Sequence, residues 1–223
     1  MSKETGPLQN ETVTPGVTYT ASLELQLFDA PRPSPMIGSS LDSVSWTVVE
    51  RGLVFVTSAA YAGGNLGGVL GADAICTQHA TDAGLGGTWT AWLSNSTINA
   101  KDRLVAAGAL GPYRNTIGKI VALDLNDLTD GMLDISSGGF RYDENGQETN
   151  TRRYVWTSTE SDGTAFPGGS CGTDWNDVNA LGLVGDREQD DSGWTRVTFP
   201  PDGRLQSCSD ELSIYCFKGN AVP

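Results

Sequence analysis

"SCGTDWNDVNALG", residues 170–182, sets a cysteine among small residues and follows it with an acid and a tryptophan. Cys171 can be read as a nucleophile, a metal ligand or half of a disulfide. The choice separates an enzyme from a binding module. Three other cysteines, Cys76, Cys208 and Cys216, leave three possible pairings. None stands in a C-x-x-C pair, so a zinc ribbon or a thioredoxin-type site lacks its signature. The one histidine, His79, lies three residues after Cys76. A Cys–His nucleophile pair would have to use it, yet the neighbouring sequence supplies no third group to orient the ring. A Cys–His metal pair lacks further soft ligands. Two disulfides fit better than either. A nested arrangement, Cys76–Cys216 around Cys171–Cys208, would tie the start of a domain to its end. Four buried free thiols are the alternative. Disulfides persist only in oxidising surroundings, so bonded cysteines point to an extracellular destination.

The totals narrow the class. A chain of 223 residues suffices for one good core and an appendage. Charged residues make up only 18% and glycines number 28, which fits a loop-rich globular protein rather than a helical bundle. A formal charge of −13 argues against nucleic acid and heparin-like partners, which need clustered Lys and Arg. No apolar run reaches the roughly 18 residues of a membrane span, so no membrane insertion is expected. Residues 1–16 are polar and lack the apolar stretch of a secretory signal. Export by another route, such as release of virus particles by lysis, is the corresponding expectation.

Along the chain, residues 17–30 alternate, with Leu23, Leu25 and Leu27 on one face and Ser22, Glu24 and Gln26 on the other. That pattern predicts one half-buried strand. The prolines of "PRPSPMIGSS" predict a linker after it. Residues 1–35 thus read as an attachment arm, 36–52 as a connecting segment and 53–223 as the main domain. "LVFVTS" (53–58) and "TWTAWLS" (88–94) read as strands, the latter with Trp89 and Trp92 on opposite faces. Between them, "GGVLGADAICTQHATDAGL" has helical spacing, with Leu70, Ala74, Ile75 and Ala80 on one side and Gly84 as its stop. "NAKDRLVAAG" predicts a second short helix. A strand follows around 120–123. "FRYDENGQE" predicts a hairpin, its Asn145-Gly146 pair supplying the positive φ of a tight turn. "RYVWTST", "SGWTRVTF" and "SIYCFKG" read as strands. The sum is an α+β module with two short helices, small antiparallel sheets and long loops.

These stretches resemble the C-type lectin-like fold, and most closely its endostatin-like branch with the related lectin-like domains of bacterial and phage surface proteins. The matching pieces are "AGLGGTWTAWLS", "FRYDENGQ", "YVWTSTESDGT", "CGTDWND" and "SCSDELSIYCF", in the family's order over about residues 53–219. The resemblance implies pairing of first cysteine with fourth and second with third. It makes Cys171 structural, bonded to Cys208 with Trp175 packed beside it. It also implies a scaffold whose loops bind ligands far more often than they catalyse. Two departures matter. Trp175-Asn176-Asp177 matches the lectin Trp-Asn-Asp motif in letters, but it follows the second cysteine instead of preceding the third, and no Glu-Pro-Asn or Gln-Pro-Asp precedes it. The basic face with which endostatin binds heparin is absent.

Candidate ligand contacts are Trp194, Trp175, Asp174, Asn176, Asp177 and Arg187, in the long-loop region. Trp194, after an acidic run and Ser192-Gly193, reads as the exposed aromatic most able to stack on a sugar face; Tyr142 is a further one. Two acidic clusters could hold Ca2+: Asp124, Asn126, Asp127 and Asp130, or Asp186, Glu188, Asp190 and Asp191, the second preferred as the metal set. Solvated loops are the plainer reading of both. The expected function is a non-enzymatic module that recognises a glycan or surface receptor. Residues 1–35 would anchor it to other structural proteins of a larger assembly such as a phage virion, with further copies of the chain as possible neighbours. A purely structural capsid or tail protein is the first alternative. A glycan hydrolase using Asp174 and Asp177 with Glu160 and Asp162 is the second.

Overall fold

The computed structural model describes residues 18–28, 36–47, 52–133, 138–149, 153–197 and 205–219, the first two segments as backbone. The chain divides into two compact units, one up to Glu50 and one from Arg51. In the first, β1 (Thr18–Phe28) pairs antiparallel with β2 (Met36–Thr47), Leu23 opposite Asp42 and Tyr19 opposite Trp46. The expected strand is therefore present, but its partner is the segment expected to be a connector. The division between the two units falls after Glu50. Residues 1–17 and the proline-rich 31–35 lie outside the described residues.

The second unit is a mixed α+β fold around one strand. β11 (Glu211–Gly219) pairs antiparallel with β3 (Gly52–Val56), β4 (Tyr61–Ala62) and β5 (Thr88–Ala91), and parallel with β8 (Tyr154–Trp156). β6 (Tyr113–Asn115) runs parallel to β3 and antiparallel to β7 (Ile120–Ala122). On the other flank β9 (Leu181–Asp186) joins β8, and β10 (Leu205–Ser207) joins β9. The sheet is thus mixed, not purely antiparallel: two of its pairings, β11 with β8 and β3 with β6, are parallel, which hairpins cannot make.

β11 divides two cores by its alternation. Leu212, Ile214 and Cys216 face a core with both disulfides, Phe55, Trp89, Trp156 and Trp175. Tyr215 and Phe217 face an aromatic core with Trp92, Tyr113, Phe140 and Trp194. Period-2 side chains and burial on both faces account for its nearly unbroken apolar reading. Trp89 and Trp92 do fall on opposite sides, one in each core.

Helix α1 (Gly68–Asp82) covers the first core. Its buried side is Val69, Ala72, Cys76 and Ala80, spaced three to four apart, and Leu70 is 77% exposed. The sequence-based face is therefore rotated: the cysteine bond, not the largest apolar residue, sets which side turns inward. Gly84 ends the helix as expected, at φ +73° with Leu85 N–H reaching Ala80 O at 2.8 Å. Helix α2 (Ala100–Ala106) sends Arg103 under β5, where it donates to the carbonyls of Ala91 and Leu93 and meets Asp73 of α1. A short α3 (Leu125–Leu128) follows β7. The stretch around Trp194 is a single 3-10 turn, Ser192–Trp194, rather than the expected strand. β9 takes the place in the sheet.

Cys76–Cys216 and Cys171–Cys208 are both formed, with separations of 140 and 37 residues. The bonds are nested, and no cysteine is free. The second bond sits where Gly63 and Gly182 approach the Trp156 ring: a Cβ on Gly182 would lie 2.7 Å from the ring and 2.8 Å from Cys171 Sγ.

Replacing Cys171 and Cys208 by Ala is expected to lower unfolding free energy by about 4 kcal/mol, and Cys76 and Cys216 by about 5 kcal/mol, as the closed loops lengthen. Urea unfolding of each double variant measures both. Gly182→Ala should destabilise the protein with both bonds intact, since its methyl meets ring and sulfur rather than solvent.

Candidate functional site

The quoted segment is a tight loop closed at its base by a bridge between Ser170 and Gly182. The carbonyl of Cys171 accepts the N–H groups of Asn176 and Asp177, and that of Ser170 accepts Trp175 N–H. Cys171 and Trp175 take φ of +48° and +53°, a left-handed region that side chains occupy only under constraint. The constraint is visible on both. Cys171 is fixed by its disulfide, and Trp175 is fully buried, edge-on to Trp156, with Nε1 donating to Ser94 O at 2.9 Å. Trp175 therefore packs beside the bond, and it is not available to a ligand.

Asp174 acts on the fold. α1 is preceded by Gly67, which has no side chain to cap it, and Asp174 Oδ1 accepts Val69 N–H at 3.1 Å instead. A carboxylate there satisfies a first-turn donor and meets the positive end of the helix. Asn95 Nδ2 donates to the same oxygen at 2.9 Å. Asp177 Oδ1 accepts Asn179 N–H and stays exposed, as does Asn176. Glu160 pairs with Arg196, and Asp162 accepts from Thr164. Each carboxylate proposed for hydrolysis is thus held by a partner of its own.

Trp194 is the main correction. It is fully buried, stacked on Phe140 at 4.8 Å and packed against Trp92 at 5.2 Å and Tyr215 at 5.6 Å. The acids before it form the exposed turn, and the ring itself goes into the aromatic core, so it cannot stack on a sugar. Asp186 is likewise buried: it accepts from Arg153 Nε at 2.6 Å and from Glu188 N–H at 3.0 Å. Glu188 is in reach of the same arginine, and Asp191 Oδ1 caps the turn that carries Trp194. Among the described residues no three His, Cys, Asp or Glu side chains gather as a metal site. The four acids of the preferred cluster are divided between an ion pair, a cap and solvent.

What this loop does build is a cleft. Leu133 N–H donates to Asp190 O at 2.6 Å, bringing the turn before the aromatic core against the 187–190 loop. A cavity of about 250 Å³ opens there, lined by Gly138, Gly139 and Arg141 on one side and Arg187, Glu188, Gln189 and Asp190 on the other, with Leu133 at the edge. Arg187 is largely buried, and burial pushes its guanidinium below its ordinary value while the charges of Glu188 and Glu148 push it up. Arg141 and Glu188 are exposed. Both signs of charge and an amide thus meet in one recess.

A second constellation was not visible in sequence. His79 Nδ1 lies 2.7 Å from Glu144 Oε1, and Nε2 lies 2.7 Å from the Tyr61 hydroxyl. Glu144 also accepts Ser58 N–H at 3.0 Å and the Ser58 hydroxyl. Burial raises the Glu144 carboxyl, but the hydrogen bonds from His79 and Ser58 outweigh it and hold the group at about 2. An ionised Glu144 requires the proton on Nδ1; in the neutral ring Nε2 is then the acceptor for the Tyr61 hydroxyl. Burial, followed by the Glu144 charge, raises the Tyr61 phenol, which stays protonated as that donor. The order hydroxyl, imidazole, carboxylate is that of a nucleophile relay, here headed by a phenol that is harder to ionise than usual. The chain of hydrogen bonds ties the β3–β4 loop and α1 to the hairpin at 142–148. In that hairpin only Gly146 takes positive φ, +73°, with its N–H on Asp143 O; Asn145 does not.

No protein-family model and no curated protein matches the chain.

Glu144 sits below its ordinary 4.5 when folded, so its stabilisation is present above that pH and is lost as pH falls through about 2. Urea unfolding between pH 5 and about 2 should show a loss of no more than about 3 kcal/mol from this group, and Glu144→Gln should flatten that part of the profile. Trp194→Ala should cost roughly 3–5 kcal/mol in the same assay, as for a buried aromatic.

Proposed function

We propose that the chain is a non-enzymatic binding module with a C-type lectin-like, endostatin-like domain, recognising a glycan or glycosylated receptor through the cleft between Arg141 and the 187–190 loop. The cleft is the observation that carries this reading. Its volume, near the lower end for ligand sites, suits one or two sugar rings, and its guanidinium, carboxylate and amide groups can hydrogen-bond vicinal hydroxyls. The nested disulfides and the order of the matching stretches support the lectin-like assignment. They also fit an oxidising, non-cytoplasmic location, and no helix among the described residues is long and apolar enough to cross a membrane. The separate N-terminal unit serves in this reading as the arm that joins a larger assembly, such as a phage particle.

Arg141→Ala and Glu188→Gln change exposed groups of the cleft and leave the cores intact. Each should weaken binding on a glycan array about tenfold or more, the loss of one charged hydrogen bond, with an unchanged circular dichroism spectrum. Array binding that survives both substitutions at full strength rejects the cleft as the site.

A further inference from the structure

We propose that a second surface, the depression formed by Ile120, Leu123, Met132 and Leu133 beside Asp127, seats an apolar side chain of a protein partner that carries Lys or Arg next to it. The depression has a volume of about 340 Å³. Leu133 is buried at its base, while Leu123 and Met132 are 62% and 63% exposed at its walls. Two large, unbranched or γ-branched side chains that exposed leave apolar area in water, and a methionine wall adapts its shape to an incoming group.

The rim identifies the chemistry of the occupant. From Ile120 to Leu133 the chain has Asp124, Asp127 and Asp130 and no Lys or Arg. Each of the three carboxylates is held by backbone N–H groups: Asp124 Oδ1 by Asn126 and Asp127, Asp127 Oδ2 by Leu123, and Asp130 Oδ1 by Met132. Among the described residues none of them is in an ion pair. Asp127 lines the apolar hollow, fixed in place by Leu123 N–H, and Asp124 and Asp130 stand three residues to either side of it in the chain. An anionic rim attracts a cationic flank and repels an acidic one, which is how charge selects partners at an interface. The depression adjoins the cleft at Leu133, which lines both, but a sugar, rich in hydroxyls, gains little from a leucine–methionine wall, so the proposal does not depend on the reading of the cleft.

The test is an amide-resolved NMR titration of the whole chain with acetyl-Lys-Phe-Lys-amide, and with acetyl-Glu-Phe-Glu-amide as its charge-reversed control. The first peptide should move the signals of Leu123, Asp127 and Met132 saturably, with the millimolar affinity expected of a single anchor. The second should not. Met132→Ser should weaken the first at least tenfold. Asp127→Asn with Asp130→Asn should do the same, the amide oxygen still accepting from Leu123 N–H. Raising salt from about 0.1 M to about 1 M, which shortens screening from about 10 Å to about 3 Å, should weaken it as well. Equal response to both peptides, no response to either, or undiminished binding by Met132→Ser overturns the proposal. Arg141→Ala should leave the titration unchanged; a loss there would assign the peptide to the cleft and reject the depression.

Discussion

One strand holds the domain together. β11 is buried on both faces, hydrogen-bonds to four other strands and is covalently joined to α1 through Cys216. Each of its neighbours is short: β3 has five residues, β5 four, β8 three and β4 two. Strands of that length do not persist as pairs on their own. They become a sheet only because all of them share the same partner, and the two cores exist only because that partner separates them.

The cysteine bonds complement this arrangement rather than duplicate it. Cys76–Cys216 fastens the helix to the central strand, where apolar burial is already dense. Cys171–Cys208 works on irregular chain: it joins the loop with two left-handed side-chain residues to the turn between β10 and β11. Around that loop the fold spends polar groups on holding shape. Asp174 caps a helix 105 residues away in sequence, and Trp175 fills a space beside Trp156. A segment rich in carboxylates and tryptophan can look like a binding loop while its side chains are occupied internally.

Much of the architecture was legible because it is written locally. Gly84 and Gly108 marked helix ends, a nearly continuous apolar run marked β11, and cysteine order gave the nested bonds once the family resemblance was drawn. The misses have a common cause: long separation. Nothing near Trp194 announces Phe140 or Tyr215, so a tryptophan after an acidic run read as exposed although three aromatic rings enclose it. Nothing near His79 announces Glu144, 65 residues on. The small, glycine-broken β9 escaped notice because "LGLVGD" has little alternation, and its glycines are there to admit the Trp156 ring and the Trp194 backbone. The cleft was legible only in half, as the 186–191 loop, since its other wall is supplied by Arg141.

The place of β11 at the end of the domain also fixes when the domain can form. A ribosome delivers β3, β5 and β8 well before it delivers their common partner, and none of them can complete its hydrogen bonding in the interval. Native pairing is dominated by contacts distant along the chain, a topology that slows folding. The nascent chain therefore waits in an open state with its apolar strand edges uncovered, exposed to association with other chains, until synthesis has passed residue 219. Folding of this domain therefore follows the synthesis of its last strand, and the bond of Cys76 follows the arrival of Cys216.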